Sequence, residues 1–246
     1  MSNSQHHDPA GASPPRGSVY WVDLGTVDPD ATASFYTDLF GWSVAAPDSS
    51  GYRLCSLGAR FVAGLGVSES AESPQWAANF REEDLSGRVE IFSRWGGETI
   101  VAPARAGPLG DFALVADPAG AAVGLWQPRQ PSGMELRDEE GSFAGLVLLA
   151  ENPRSAAEFY VGAMGWSCAG GGEGLILTDG SLARVETVAH LGDDRSQWIV
   201  TFACRDVENA RSRAIARGAR EVAVLADGLP LIRDPCGALL GLRPSR

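Results

Sequence analysis

The stretch DPDATASFYTDLFGWSV, Asp28 to Val44, returns about 120 residues later as NPRSAAEFYVGAMGWSC, Asn152 to Cys168. A period this long exceeds the roughly 20–50-residue units of a solenoid, so the chain reads as two like domains in tandem. Each stretch opens as a helix should. Asp28-Pro29 and Asn152-Pro153 put a capping side chain ahead of a proline at the first helical position. Phe35, Leu39 and Phe40 form one apolar stripe and Phe159, Ala163 and Met164 the other. Gly41 and Gly165 fall where a left-handed C-terminal cap is needed.

The echo continues on both sides. Apolar runs of strand type, SVYWVDLG and FAGLVLLA, precede the two helices. PQWAANFREEDLSGRVEIFSRWGG resembles SQWIVTFACRDVENARSRAIARGA, each a strand, a cap at Asp84 or Asp206, and a helix ending in Gly. DFALVADPAGAAVGLW and LPLIRDPCGALLGLR close the halves. Asp117-Pro118-Ala119-Gly120 and Asp234-Pro235-Cys236-Gly237 carry the side chains of a type I turn between strands. Each half is therefore two strand–helix–strands units.

Length and composition fit. The 246 residues suffice for two domains of about 100–120 residues, each expected to bury a core of its own. Residues 1–17, polar and rich in Gly, Pro and Ser, read as a disordered tail. Residues 18–128 then form the first domain, 129–141 a linker and 142–246 the second. No run approaches the roughly 18 apolar residues of a membrane helix, and the tail has no apolar signal region, so a cytoplasmic protein without a membrane partner is expected. Lys and Arg number 20 against 31 Asp and Glu, a net charge of −11, and no basic stripe is present, which argues against nucleic acid. The acidity is weakly compatible with a cationic ligand. Cys55, Cys168, Cys204 and Cys236 form no C-x-x-C pair and read as small, mostly buried residues.

The order of strand, FY helix, GW, sheet, strand, helix and DPxG hairpin resembles the vicinal oxygen chelate superfamily, which includes glyoxalases, extradiol dioxygenases, epimerases and bleomycin-resistance-type drug-binding proteins. WVDLGT, FYTDLFGW and DPAGAAVGLWQP are similar to its two-domain glyoxalase-like subgroup. The resemblance implies an α+β fold with two tandem domains, each of paired βαβββ units curled into an open barrel around a cavity. Metal-using members hold a divalent ion there through His, Gln and Glu from four strands. Mapped onto this chain, three of those positions in each half fall on Trp21 and Gly145, Ala77 and Ile199, and Gly124 and Gly241. None of these side chains ligates a metal. Of the three histidines, His6 and His7 lie in the tail, which leaves His190. Glu186 and His190, four apart on a strand, would sit about 13 Å from each other. A carboxylate-only site for a hard cation would draw on Asp23, Glu90 and Glu186. No bound metal or other cofactor is expected.

The first half instead offers aromatic groups. Trp21 stands at a ligand position, Asp23 shares its strand face two residues on, and Trp126 lies two past Gly124. Tyr52 and Trp76 complete a candidate ligand-binding set of Trp21, Asp23, Tyr52, Trp76 and Trp126. Asp23 and Glu90 are the candidate bases, since a carboxylate beside Trp in an apolar cavity has its pKa raised toward neutrality. Trp42 and Trp166, repeated after the helix-ending glycines, are expected to pack helix on sheet. The second half has small or apolar groups at the matching places, Gly145, Val147, Ile199 and Gly241, so the two cavities are expected to differ in openness. The expected function is that of a metal-free small-molecule pocket protein, monomer or homodimer. It would bind an aromatic or polycyclic natural product or hydrophobic metabolite, as a resistance or carrier protein or as a cofactor-free enzyme of secondary metabolism. The alternative is a metal-dependent dioxygenase or isomerase with an unorthodox ligand set.

Overall fold

The computed structural model describes residues 14–68, 74–129, 133–169, 174–187 and 196–245. His6, His7, His190 and most of the glycine run 169–174 lie outside them. The first domain runs β1 (Val19–Thr26), α1 (Pro29–Phe40), β2 (Ser43–Val44), β3 (Arg53–Leu57), β4 (Arg60–Val67), then β5 (Gln75–Arg81), α2 (Leu85–Arg94), β6 (Glu98–Ala106), β7 (Gly110–Ala116) and β8 (Ala122–Pro128). The second repeats the order with β9 (Phe143–Ala150), α3 (Pro153–Met164), β10 (Ser167–Ala169), β11 (Gly174–Ile176), β12 (Leu182–Thr187), β13 (Gln197–Cys204), α4 (Val207–Ala216), β14 (Arg220–Val224), β15 (Pro230–Arg233) and β16 (Leu239–Pro244). Each domain is one eight-stranded sheet. Their strand orders are β2-β3-β4-β1-β5-β8-β7-β6 and β10-β11-β12-β9-β13-β16-β15-β14, the same topology twice. No described helix is long and apolar enough to cross a membrane.

The local signals act as their chemistry dictates. Asp28 and Asn152 accept from the backbone N–H groups of Ala31 and Ser155, and Asp84 and Asp206 do the same for Gly87 and Asn209. Gly41 and Gly165 both cap at φ 75°, a left-handed conformation that favours glycine. The two DPxG turns close through Gly120 N–H to Asp117 O, 2.9 Å, and Gly237 N–H to Asp234 O, 3.0 Å.

Packing departs from the expectation of two separate cores. The helix-bearing faces of both sheets meet, α1 against α4 and α2 against α3, and they enclose a single continuous core. Phe202 of the second domain lies among Phe40, Trp42 and Trp76 of the first, with ring centroids 4.9–5.6 Å apart. Phe80 of the first packs on Trp166 and Trp198 of the second, at 5.0 and 6.2 Å. The repeated motifs are the pins of this interface. Tyr36, from the first FY helix, donates to Asp234 of the second DPxG turn at 3.0 Å and accepts from Trp76 Nε1 at 2.9 Å. Tyr160 reaches back in the same way to the Asp117 turn, with Trp198 Nε1 donating to it at 2.7 Å. Trp42 donates to Gly141 O at the entry to β9, and Trp166 to Gly17 O at the entry to β1. Each GW tryptophan thus holds the first strand of the opposite domain as well as packing beneath its own helix. The opposite sheet faces, which carry the mapped ligand positions, are free to differ.

Candidate functional site

On β1 the side chains alternate. Val22 and Leu24 enter the shared core, while Trp21, Asp23 and Gly25 face the other way and keep part of their surface open. Strand register sets their neighbours. Trp21 lies beside Asn79 of β5, and Asn79 beside Gly124 of β8. One row on, Asp23 lies between Gly64 of β4 and Ala77 of β5. These half-open positions form a trough across the first sheet, and the mapped positions Trp21, Ala77 and Gly124 all face it.

The floor of the trough is a chain of hydrogen bonds. Trp21 Nε1 donates to Tyr52 Oη at 2.7 Å. Tyr52 and Asn79 both hydrogen-bond Asp23, the Asn79 amide at 3.4 Å from Oδ2. Two glycines make room for Tyr52. A Cβ on Gly64 would stand 1.7 Å from its hydroxyl, and one on Gly66 would stand 3.5 Å from its ring. Gly124 does the same for Asn79, whose Oδ1 lies 1.9 Å from where a Cβ would be. Burial at the trough floor raises the Asp23 carboxyl to about 6, against which the bonds from Asn79 and Tyr52 hold it down. Burial and the nearby Asp23 charge push the Tyr52 phenol well above its ordinary range, so it stays protonated and donates. Trp126, two residues beyond Gly124, stands at the end of the trough beside Arg81 and over Gly110.

Two predicted site residues are corrected. Trp76 is 1% exposed and opposes Leu24 on the core side, because it is one residue out of phase with Ala77. It is an interface pin, not a ligand contact. Glu90 lies on the outer surface of α2, paired with Arg94 at 3.1 Å and largely exposed. It is removed from the trough by the sheet itself and is no base for it. The hard-cation set falls with it. Asp23 is in the first trough, Glu90 on an outer helix face, and Glu186 in the second domain, paired with Arg184. Among the described residues no three His, Cys, Asp or Glu are grouped as a metal site. The trough floor carries one carboxylate with neutral partners, a donor set that does not fit the family's ion. Asn79 was missed. The signal for it was present, since it follows Ala77 by two residues and must share its face.

The second trough is filled over part of its length, and a cleft of about 380 Å³ lined by Asp227, Leu229 and Arg243 lies beside the filled part. Val147, Leu149, Ile199, Leu225, Leu229, Leu231 and Leu239 close over one another as an apolar cluster. Thr201 stands where the first domain has Asn79, beside Gly145 and Gly241, and is fully buried. Arg184, paired with Glu186 and Asp227, lies at the rim.

The state of Asp23 has a measurable consequence. Its folded-state pKa lies above the ordinary 3.8, so its stabilising contribution is complete below about pH 4 and is lost as pH rises through about 6. Asp23→Asn is therefore expected to stabilise the protein above pH 7 by up to about 2–3 kcal/mol and to change little at pH 4. Urea melts of both proteins at the two pH values check this. An equal effect at both would show that Asp23 does not titrate in this range.

Two tandem βαβββ-pair domains joined back to back, with the sites on their outer faces, define a protein of glyoxalase-like architecture. No family profile matches the chain. It is 30% identical over 226 residues to the anthracycline biosynthesis protein DnrV of Streptomyces peucetius, covering 82% of each chain. It is likewise 30% identical to "Putative glyoxylase CFP32" of Mycobacterium bovis, covering 94% of this chain and 96% of that one. Among solved structures it resembles the Mn(II)-bound glyoxalase of Novosphingobium aromaticivorans, with TM-score 0.64, 15% identity and coverage of 92% and 82%. It also resembles the 2,2',3-trihydroxybiphenyl 1,2-dioxygenase of Sphingomonas wittichii, with TM-score 0.63, 14% identity and coverage of 94% and 92%. The chain belongs to the vicinal oxygen chelate superfamily, in its two-domain glyoxalase-like subgroup.

Proposed function

We propose that this chain is a small-molecule pocket protein that works without a metal and binds a flat aromatic or polycyclic metabolite in the trough of its first domain. The observation that carries this reading is the contrast between the two troughs. Leucine, isoleucine and valine line the floor of the second trough, whereas the matching floor of the first carries Trp21, Tyr52, Asp23 and Asn79, hydrogen-bonded to one another and each with part of its surface exposed. Aromatic walls with a few polar groups suit a flat organic ligand. The similarity to a protein named for anthracycline biosynthesis supports a role in secondary metabolism.

The trough fits two uses. It can sequester or carry the ligand. It can also move a proton, with Asp23 accepting it from an acidic position of the ligand and returning it elsewhere, an isomerisation that needs no other reactant. Asp23, poised near pH 6, is the group suited to that exchange.

Trp21→Ala tests the site. Loss of the indole wall is expected to weaken binding of a planar aromatic probe by about 1–3 kcal/mol, roughly 5- to 150-fold, while the free protein stays folded. Titration followed by tryptophan fluorescence measures it. Metal analysis of the same protein, purified without chelator, is expected to show less than about a tenth of an equivalent per chain. Unchanged affinity in Trp21→Ala, or a stoichiometric ion whose removal abolishes binding, sinks the proposal.

A further inference from the structure

The geometry points to a protonated amine as the group that the ligand presents to Asp23, an inference that rests on the first trough being the ligand site. The donors around Asp23 are neutral, and all but one are engaged. The indole N–H of Trp21 is given to Tyr52, and the Tyr52 and Asn79 side chains bond Asp23 itself. The one charged group on the floor is therefore an acceptor, the carboxylate, with Asn79 Oδ1 packed over Gly124 and the second amide N–H of Asn79 as the remaining neutral donor.

Among the described residues no cation answers this carboxylate. The groups set against Asp23 are Gly64 of β4, Ala77 and Asn79 of β5, and Tyr52, none of them positively charged. Arg53 belongs to the helix side of the sheet, where it pairs with Asp30 at 2.7 Å. Arg81 lies four residues beyond Ala77 on β5, about 13 Å along the strand, and is tied to Glu83 at 3.1 Å.

A partly buried charge held only by neutral donors is costly, and a ligand that supplies the opposite charge recovers part of that cost. An ammonium brings the opposite charge and up to three donors to a floor whose one charged group is an acceptor. The indole and phenol faces of Trp21, Tyr52 and Trp126 provide the electron-rich walls that attract such a cation. A neutral hydroxyl could bond Asp23 but would leave its charge unanswered. A carboxylate or phosphate would meet acceptor lone pairs and a negative charge, in a chain of net charge −11.

Four probes of one skeleton test this on the full chain: 1-naphthylmethylammonium, 1-naphthylmethanol, 1-naphthoate and 1-methylnaphthalene, measured by calorimetry at pH 7.5. The ammonium is expected to bind about tenfold or more tighter than the alcohol, with the naphthoate weakest. Because the cation selects the ionised carboxylate, this advantage should be present above about pH 6 and fade as pH falls through it. Asp23→Asn should bring the ratio between ammonium and alcohol close to one. An alcohol that equals the ammonium, or a naphthoate that exceeds it, overturns the assignment of a cation while leaving the aromatic trough standing. Failure of all four probes to bind, or binding undiminished in Trp21→Ala, overturns the trough as the ligand site and this inference with it.

Discussion

Expressed alone, residues 142–246 are expected not to give a cooperatively folded protein, although they carry a complete copy of the repeated topology. Their helix-bearing face is made for the other half. Without it, Phe202 loses Phe40, Trp42 and Trp76, and Trp166 and Trp198 lose Phe80. Asp234, buried and raised in pKa by that burial, loses the Tyr36 hydroxyl that helps to hold its charge. Each large side chain returned to water forfeits about 1.5–3 kcal/mol, and several do so together. That sum reaches the whole stability of a typical domain, about 5–15 kcal/mol. Thermal melts of the isolated halves and of an equimolar mixture check this. Broad, weak transitions are expected for each half and recovery of a sharp one on mixing. A sharp transition for residues 142–246 alone, within a few degrees of the intact chain, would refute the shared core.

Trp76→Ala is expected to cost about 3–5 kcal/mol, the range for truncating a large aromatic in a packed interior. Trp76 contacts Tyr36, Trp42 and Phe202, and its Nε1 donates to the Tyr36 hydroxyl that pins the second domain. Removing it opens a cavity on the interface and takes a partner from a buried phenol. The loss should appear as a lower urea midpoint with an unchanged slope, in one transition that reports on both domains. Trp21→Ala, on the other face of the same sheet, is the contrast, with a smaller loss of stability and a larger loss of ligand affinity. If Trp76→Ala lost less than about 1 kcal/mol and instead abolished aromatic binding, Trp76 would belong to the site after all.

That contrast between two tryptophans shows where sequence reasoning reaches its limit here. Trp76 and Ala77 are adjacent, and a strand sends adjacent side chains to opposite faces. Trp76 recurs as Trp198 in the other half, a repeat that by itself suits a core role as well as a site. The choice between core and trough needed the register with Leu24. Glu90 was a candidate base by residue type alone. Its helix lies on the core side of the sheet, and Glu90 looks outward from it.

The sequence by itself determined the duplication, the two-unit plan of each half, the helix caps at Asp28, Asn152, Asp84 and Asp206, the DPxG turns, and the absence of metal ligands at Trp21, Ala77, Gly124 and their partners. These follow from local backbone chemistry, or from side-chain identity at positions that local periodicity fixes. Alternation along β1 also joined Asp23 to Trp21. Only the tertiary structure decided that the FY tyrosines and DPxG aspartates meet across the domains. Residues such as Tyr36 and Asp234 are about 200 positions apart, and nothing local encodes their contact. Only it placed Tyr52 over Gly64 and Gly66 and bonded it to Trp21 and Asp23, because a loop residue's side chain is directed by what leaves room for it. And only it gave one trough an apolar floor and the other a hydrogen-bonded one, since that depends on how Leu225, Leu229 and Leu231 fold back over Val147 and Ile199, a packing outcome that no single strand carries in its own pattern.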